Sequence, residues 1–255
     1  MCKRFRRLPA VLLLALLAAL VVRVPTAGAA AEFHKFNVVL SAIPTQLRAT
    51  DFNRVIDVTN AQLQNNGLAP IDRIHSSWYL DAEVRYFVRQ NLALSLGGGR
   101  IRKSVSQEYL PAIAQSIVVS ANITSVPLYA GGAYYFKPYN QGDFQARAYV
   151  GAGFMSVVYN RASLAVTASG ITLPPEATRG LHATNDAPGY YAEAGAHLFF
   201  ATRFSVLLSG LYRSNEVHNL VDERSPGTVV RDPRGQPLTL DLGGLGFRMA
   251  LGIGM

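Results

Sequence analysis

After residue 31 the chain has no run of 18 apolar residues, yet apolar and polar residues alternate with a period of two along eight separate segments. These span about 32–43, 77–88, 92–102, 122–137, 143–158, 188–200, 204–215 and 238–255. Successive side chains of a strand point to opposite faces, so the pattern predicts an all-β chain with two unlike surfaces. An even number of strands lets an antiparallel up-and-down sheet close with both termini at one end. The connections are sorted too. Arg89-Gln90-Asn91, Pro138–Gly142 and Ala201-Thr202-Arg203 are short, and they alternate with long stretches at 44–76, 103–121, 159–187 and 216–237.

One face of each strand carries no charge. It reads Trp78, Leu80, Ala82, Val84, Tyr86 in the second segment and Tyr190, Ala192, Ala194, Ala196, Leu198, Phe200 in the sixth. Rings border a small aliphatic middle, as in the aromatic girdles around a lipid-facing band. From Tyr190 to Phe200 the rise is roughly 33 Å, which a tilt near 40° projects to about 25 Å, the height of such a band. The opposite face holds Asp81, Glu83, Arg85, Arg147, Tyr149, Tyr191, Glu193, His197 and Arg248. Only 16% of the chain is charged against 49% hydrophobic, too few charges for a water-facing wall dense in Lys and Glu. The charged face is therefore expected inside, as a structural polar network in which the three acids pair with Arg85, Arg147 and Arg248.

The first 31 residues read differently. Lys3–Arg7 form a basic start, Ala10–Val22 an apolar run of 13 residues, and Ala27-Gly28-Ala29 a small-x-small pattern. Together these predict a secretory signal peptide over 1–31, cut near Ala29–Ala31 after Sec-type export, with one domain over 32–255. Five of the 24 Lys and Arg lie in that leader and no acid does, so the net charge of +8 falls to +3 without it. A nucleic-acid partner is not expected on that balance. Cys2 leaves with the leader, which removes disulfides and thiolate metal sites from the mature chain.

The stretches Val126–Phe136, Ala148–Phe154 and Leu242–Met255 carry a resemblance to the small outer-membrane β-barrel proteins of Gram-negative bacteria, the group of OmpA-like, OmpX-like and OmpW-like barrels. The resemblance implies an eight-stranded antiparallel up-and-down transmembrane β-barrel in the outer membrane. It also implies a monomer, with outer-membrane lipids, lipopolysaccharide and the barrel-assembly machinery as partners. Such families usually end in an aromatic residue, where this chain has Met255. Three roles follow: a structural or surface-interaction barrel with a plugged lumen, an OmpW-like passive conduit for small apolar molecules, or a lipid A-modifying enzyme.

Other motifs are weaker. Asp51–Asn66 places Phe52, Val55, Ile56, Thr59 and Leu63 on one helical face before Gly67, predicting a short amphipathic helix in the first long loop. The helix is expected to pack over the barrel mouth, with a ligand lid as the alternative. His34, His75, His182, His197 and His218 lack metal-ligand spacing, so no metal, cofactor or catalytic site is expected. His75 and Ser77 resemble the His-x-Ser of an outer-membrane lipid A deacylase, but no acid completes a relay. Gly97-Gly98-Gly99 reads as a bend or packing site, and Asp222–Arg224 and Arg231–Gly235 as solvated loop tips.

Overall fold

The computed structural model describes residues 34–112, 115–170, 181–200, 203–225 and 227–255, and the leader read over 1–31 lies outside them. Eight strands dominate: β1 (Phe36–Gln46), β2 (Ser76–Arg89), β3 (Leu92–Ala112), β4 (Gln115–Tyr135), β5 (Phe144–Ser169), β6 (Ala187–Phe199), β7 (Phe204–Val217) and β8 (Gly244–Gly254). Each pairs antiparallel with the next, and β8 returns to β1 through pairs such as Val38↔Ile253 and Ala42↔Met249. The eight form a ring. Four short strands, Tyr139–Gln141, Leu181–Thr184, Val221–Asp222 and Leu240–Asp241, pair at its margins.

The alternation sets the two faces. Trp78, Leu80, Val84 and Tyr86 of β2 are exposed on the outside, whereas Tyr79, Asp81, Glu83, Arg85 and Phe87 are buried within the ring. On β8, Leu245, Phe247, Leu251 and Ile253 face out while Arg248 and Ala250 face in. The start of β1, the end of β8 and the β2–β3 turn share one end of the ring, and the segment between β1 and β2 lies at the other.

At that second end the structure departs from the sequence reading. Residues 103–121 and 159–187 were expected to be loops, but β3 and β4 continue as a hairpin from Lys103↔Ile123 to Tyr109↔Ile117. β5 follows alongside, pairing Ser169 with Ser116 and Arg161 with Thr124. Lys103 and Gln107 interrupt the apolar positions along β3, which is why the alternation fades while the ladder goes on. Pro127, lacking an N–H, sits where the β4–β5 register shifts by one residue.

Helix α1 (Thr50–Asn65) follows β1 and ends before Gly67, whose φ of +72° suits the residue without a Cβ. Phe52 and Ile56 are fully buried, Val55 and Leu63 pack beside them, and Val58 stays exposed. Two asparagines on the adjoining face clasp the returning chain. Asn53 accepts from the Ile74 N–H (2.8 Å) and donates to its carbonyl (2.9 Å), and Asn60 does the same at Ile71 (2.8 and 2.9 Å). Between them Asp57 takes Arg73 in two bonds of 2.7 and 2.9 Å. The carboxamides thus supply what a neighbouring strand would, leaving these backbone groups satisfied inside a loop.

The segment read as solvated tips also differs at one residue. Asp232 is buried, and its Oδ1 accepts from the backbone N–H groups of Arg234 and Gln236, each at 2.9 Å. It builds a turn with Gly235 at φ +78°.

Candidate functional site

The interior is stacked in three layers. Nearest the start of β1 and the end of β8 lies an apolar layer of Val39, Phe87, Ala93, Ala133, Phe199, Leu207 and Ala250, with the rings of Tyr135 and Tyr149. At the far end a larger apolar cluster joins Ile43, Tyr79, Ile101, Met155 and Leu211 of the ring to Phe52 and Ile56 of α1 and to Leu220, Leu238 and Leu240. Between them sits an ion cluster.

Its three acids come from neighbouring rows of β2 and β6, where the inward positions of the alternation fall on Asp81, Glu83 and Glu193. Arg248 of β8 reaches all three, at 2.7 Å to Asp81, 2.8 Å to Glu83 and 3.2 Å to Glu193, while its Nε donates to Ser41 Oγ at 2.8 Å. Arg85 bonds Glu83 and, at 2.6 Å, Glu193, and it donates to the Tyr135 hydroxyl at 2.8 Å. Tyrosines finish the shell. Tyr129 donates to Asp81 (2.8 Å) and lies 2.9 Å from Glu83, Tyr149 donates to Glu193 (3.2 Å), and Tyr191 meets Ser95 (3.1 Å). Charge-assisted bonds of this kind are the strong ones, and buried ions require them.

Eight of the nine residues expected in the network are drawn into it or its fringe. His197 bridges the Tyr135 hydroxyl (3.1 Å) and Ser205 Oγ (2.9 Å), one bond removed from Arg85. Arg147 is the correction. It pairs with no carboxylate among the described residues; its guanidinium lies over the Tyr135 ring at 5.3 Å, near the start of β5 and the end of the ring where β1 begins and β8 ends. The sequence matched three acids with three arginines by count, but reach along a strand decides pairing, and Arg147 is too near the rim.

Arg213 is the interior cation that the sequence reading left out. It lies over the Tyr79 ring at 5.0 Å and donates to Thr45 Oγ1 at 2.7 Å, leaving Nε and Nη1 without a partner among the described residues. It borders a cavity of about 10 Å³ with Asp81, Tyr129 and Arg248, room for about one water. Its position was legible, since Tyr212 and Gly210 face out on β7 and Arg213 must then face in. Tyr129 and Tyr135 were missed for the same reason: the rows were followed on their outward side.

Inward glycines make the space these rings occupy. A Cβ on Gly97 would stand 2.5 Å from the Tyr129 hydroxyl, and one on Gly153 2.6 Å from Tyr191 Cε1. The run Gly97–Gly99 is thus a packing device along an unbroken strand.

The weak catalytic pair does not come together. Ser77 is buried and donates to the Arg102 carbonyl at 2.7 Å, whereas His75 is exposed in the preceding loop. Among the described residues no group of three His, Cys, Asp or Glu is placed to hold a metal ion.

No protein-family model and no curated protein matches the chain. Solved structures similar to it include the N-terminal β-barrel domain of Pseudomonas aeruginosa OprF, at 14% identity and TM-score 0.35, covering 86% of this chain and 97% of that one. Neisserial surface protein A is similar at 12% identity and TM-score 0.41, over 87% of this chain and 97% of that one. Ail, the attachment invasion locus protein of Yersinia pestis, solved with the heparin analogue sucrose octasulfate, is similar at 9% identity and TM-score 0.41, over 88% and 99%.

Proposed function

We propose that the chain is a monomeric β-barrel of the bacterial outer membrane, closed through its β1–β8 seam, with a plugged interior and a structural or surface-interaction role. The observation that carries the reading is the inversion of its surfaces. Trp78 (56% exposed), Leu80 (60%) and Phe154 (81%) stand outside, while arginines and carboxylates are shut inside. A soluble protein gains by the opposite arrangement; this one suits a wall in contact with acyl chains.

The plug follows from the layers. A hydrophilic solute would have to cross two apolar layers and dismantle an ion cluster held by three carboxylates and two arginines. An eight-stranded ring leaves an interior that side chains are able to fill, and the ion cluster between two apolar layers supports that reading here. An apolar solute meets the opposite obstacle in the charged layer. The conduit is accordingly the weaker reading, the separation of buried Ser77 from exposed His75 weakens the lipid-modifying enzyme, and α1 reads as part of the cap through Phe52 and Ile56.

Purified protein reconstituted into planar bilayers tests the plug, with the expected result that no steady large conductance appears. Nanosiemens channels from protein that shows heat-modifiable gel mobility would overturn it. The membrane assignment stands apart from this. Mature protein staying in the aqueous fraction without detergent after cell breakage would refute it.

A further inference from the structure

We propose that the outer wall carries a seat for the phosphorylated headgroup of an outer-leaflet glycolipid, where the surface crosses from β8 over β1 and β2 to β3. The proposal rests on the outer-membrane reading and names a partner and its place.

Along β3 the outward row begins like its neighbours, with Leu92, Leu94, Leu96 and Gly98, and then turns to Arg100 and Arg102. The outward rows of β5 from Phe144 to Val158 and of β8 from Leu245 to Ile253 hold no charge at all. Register places Arg100 beside Leu80 and Arg102 beside Trp78, so both cations adjoin the apolar belt. Like charges two residues apart on one strand face repel each other. Neither arginine forms an ion pair among the described residues, and an anion from outside the chain would relieve that repulsion; Lys103 belongs to the opposite row of β3, with Ile101 and Val105, and also borders a second groove lined by Asp57 and Asp72.

Arg102 and Lys103 also line a groove of about 560 Å³. Trp78, Leu245 and Phe247 form its apolar side, Gln46 and Ser76 add polar groups, and no carboxylate borders it. The chemistry has an order. Apolar side chains meet acyl chains, guanidinium and ammonium groups meet phosphate, and the amide and hydroxyl meet sugar hydroxyls. Arginine suits phosphate through paired N–H donors, and its long stem lets the charge sit at a lipid interface.

Detergent-solubilised wild-type protein and the double variant Arg102→Gln/Lys103→Gln are compared by native mass spectrometry. The probes are bisphosphorylated lipid A, its enzymatically dephosphorylated form, phosphatidylglycerol and inorganic phosphate. Wild type should retain the phosphorylated glycolipid, and both the double variant and the dephosphorylated probe should lower retention about tenfold to thirtyfold, as expected for two interfacial cations. Equal retention by the variant, or equal binding of the dephosphorylated form, overturns the seat. Equal retention of phosphatidylglycerol shows a surface for any anionic lipid, and displacement by inorganic phosphate shows an unspecific anion site; either also overturns the proposal. Protein that never partitions into detergent refutes the membrane reading itself. A protein that partitions normally and lacks selectivity refutes only the seat.

Discussion

Arg85 and Arg147 differ by what faces them, although both point into the ring. Arg85 is enclosed by Glu83, Glu193 and Tyr135, and its loss leaves two buried carboxylates short of a partner. Arg85→Ala should therefore cost about 3–5 kcal/mol in reversible urea unfolding from vesicles. Arg147→Ala, which strands no carboxylate, should cost clearly less, and equal costs would contradict the pairing. The inward positions of Asp81, Glu83, Arg85, Glu193 and Arg248 were legible because a period of two assigns faces without knowledge of the fold. Who pairs with whom was not, since contacts such as Arg248 with Asp81 join strands at opposite ends of the chain and depend on the register of the β1–β8 seam. The tyrosine shell was hidden for a related reason: an aromatic residue suits a lipid girdle or an interior network equally well, and only its strand parity separates the two.

Helix α1 was readable from its apolar stripe, and its boundaries differ from the expected ones by a single residue at each end. Its fastening was not readable, because Asn53 and Asn60 look like solvated helix residues until the chain at Ile71–Ile74 comes back against them. Phe52→Ala should destabilise the cap by about 3–5 kcal/mol by opening a cavity beneath the helix. Faster amide exchange in 50–75 with the ring amides unchanged would show this; unchanged exchange would mean the helix is merely laid on the surface. The loop turn built on Asp232 adds a pH effect. Partial desolvation opposes ionisation there, but the N–H groups of Gln236 and Arg234 outweigh it, helped by Arg54 and Arg234, and hold the carboxyl below its usual range. A lowered folded value means that the turn is fully supported above the unfolded carboxylate value of about 3.9 and loses support as pH falls through the lowered one. Amides of 230–238 should thus exchange faster, relative to free-peptide rates, at low pH than at neutrality, and Asp232→Asn should remove most of the difference. The long hairpin of β3 and β4 escaped the sequence reading because, past the expected belt, the outward row of β3 turns polar at Arg100, Arg102, Ser104, Ser106 and Glu108 and Lys103 and Gln107 interrupt the inward row, while the backbones still pair.

For the whole molecule, the placement of the belt predicts where charge is forbidden. Ala194 faces outward midway between Tyr190 and Phe200, and Ala194→Arg should cost about 2–4 kcal/mol for folding into vesicles. A water-exposed wall would accept that arginine with almost no change, so a neutral result would sink the lipid assignment. The closing seam matters here as well, since pairing β1 with β8 leaves the ring without a free edge along which copies could stack. The sandwich of one ionic layer between two oily ones has a further effect on the cell that makes it. On the proposed reading, an envelope could hold such a wall protein in great abundance and remain as tight to detergents, bile-like amphiphiles and hydrophilic antibiotics as bare bilayer.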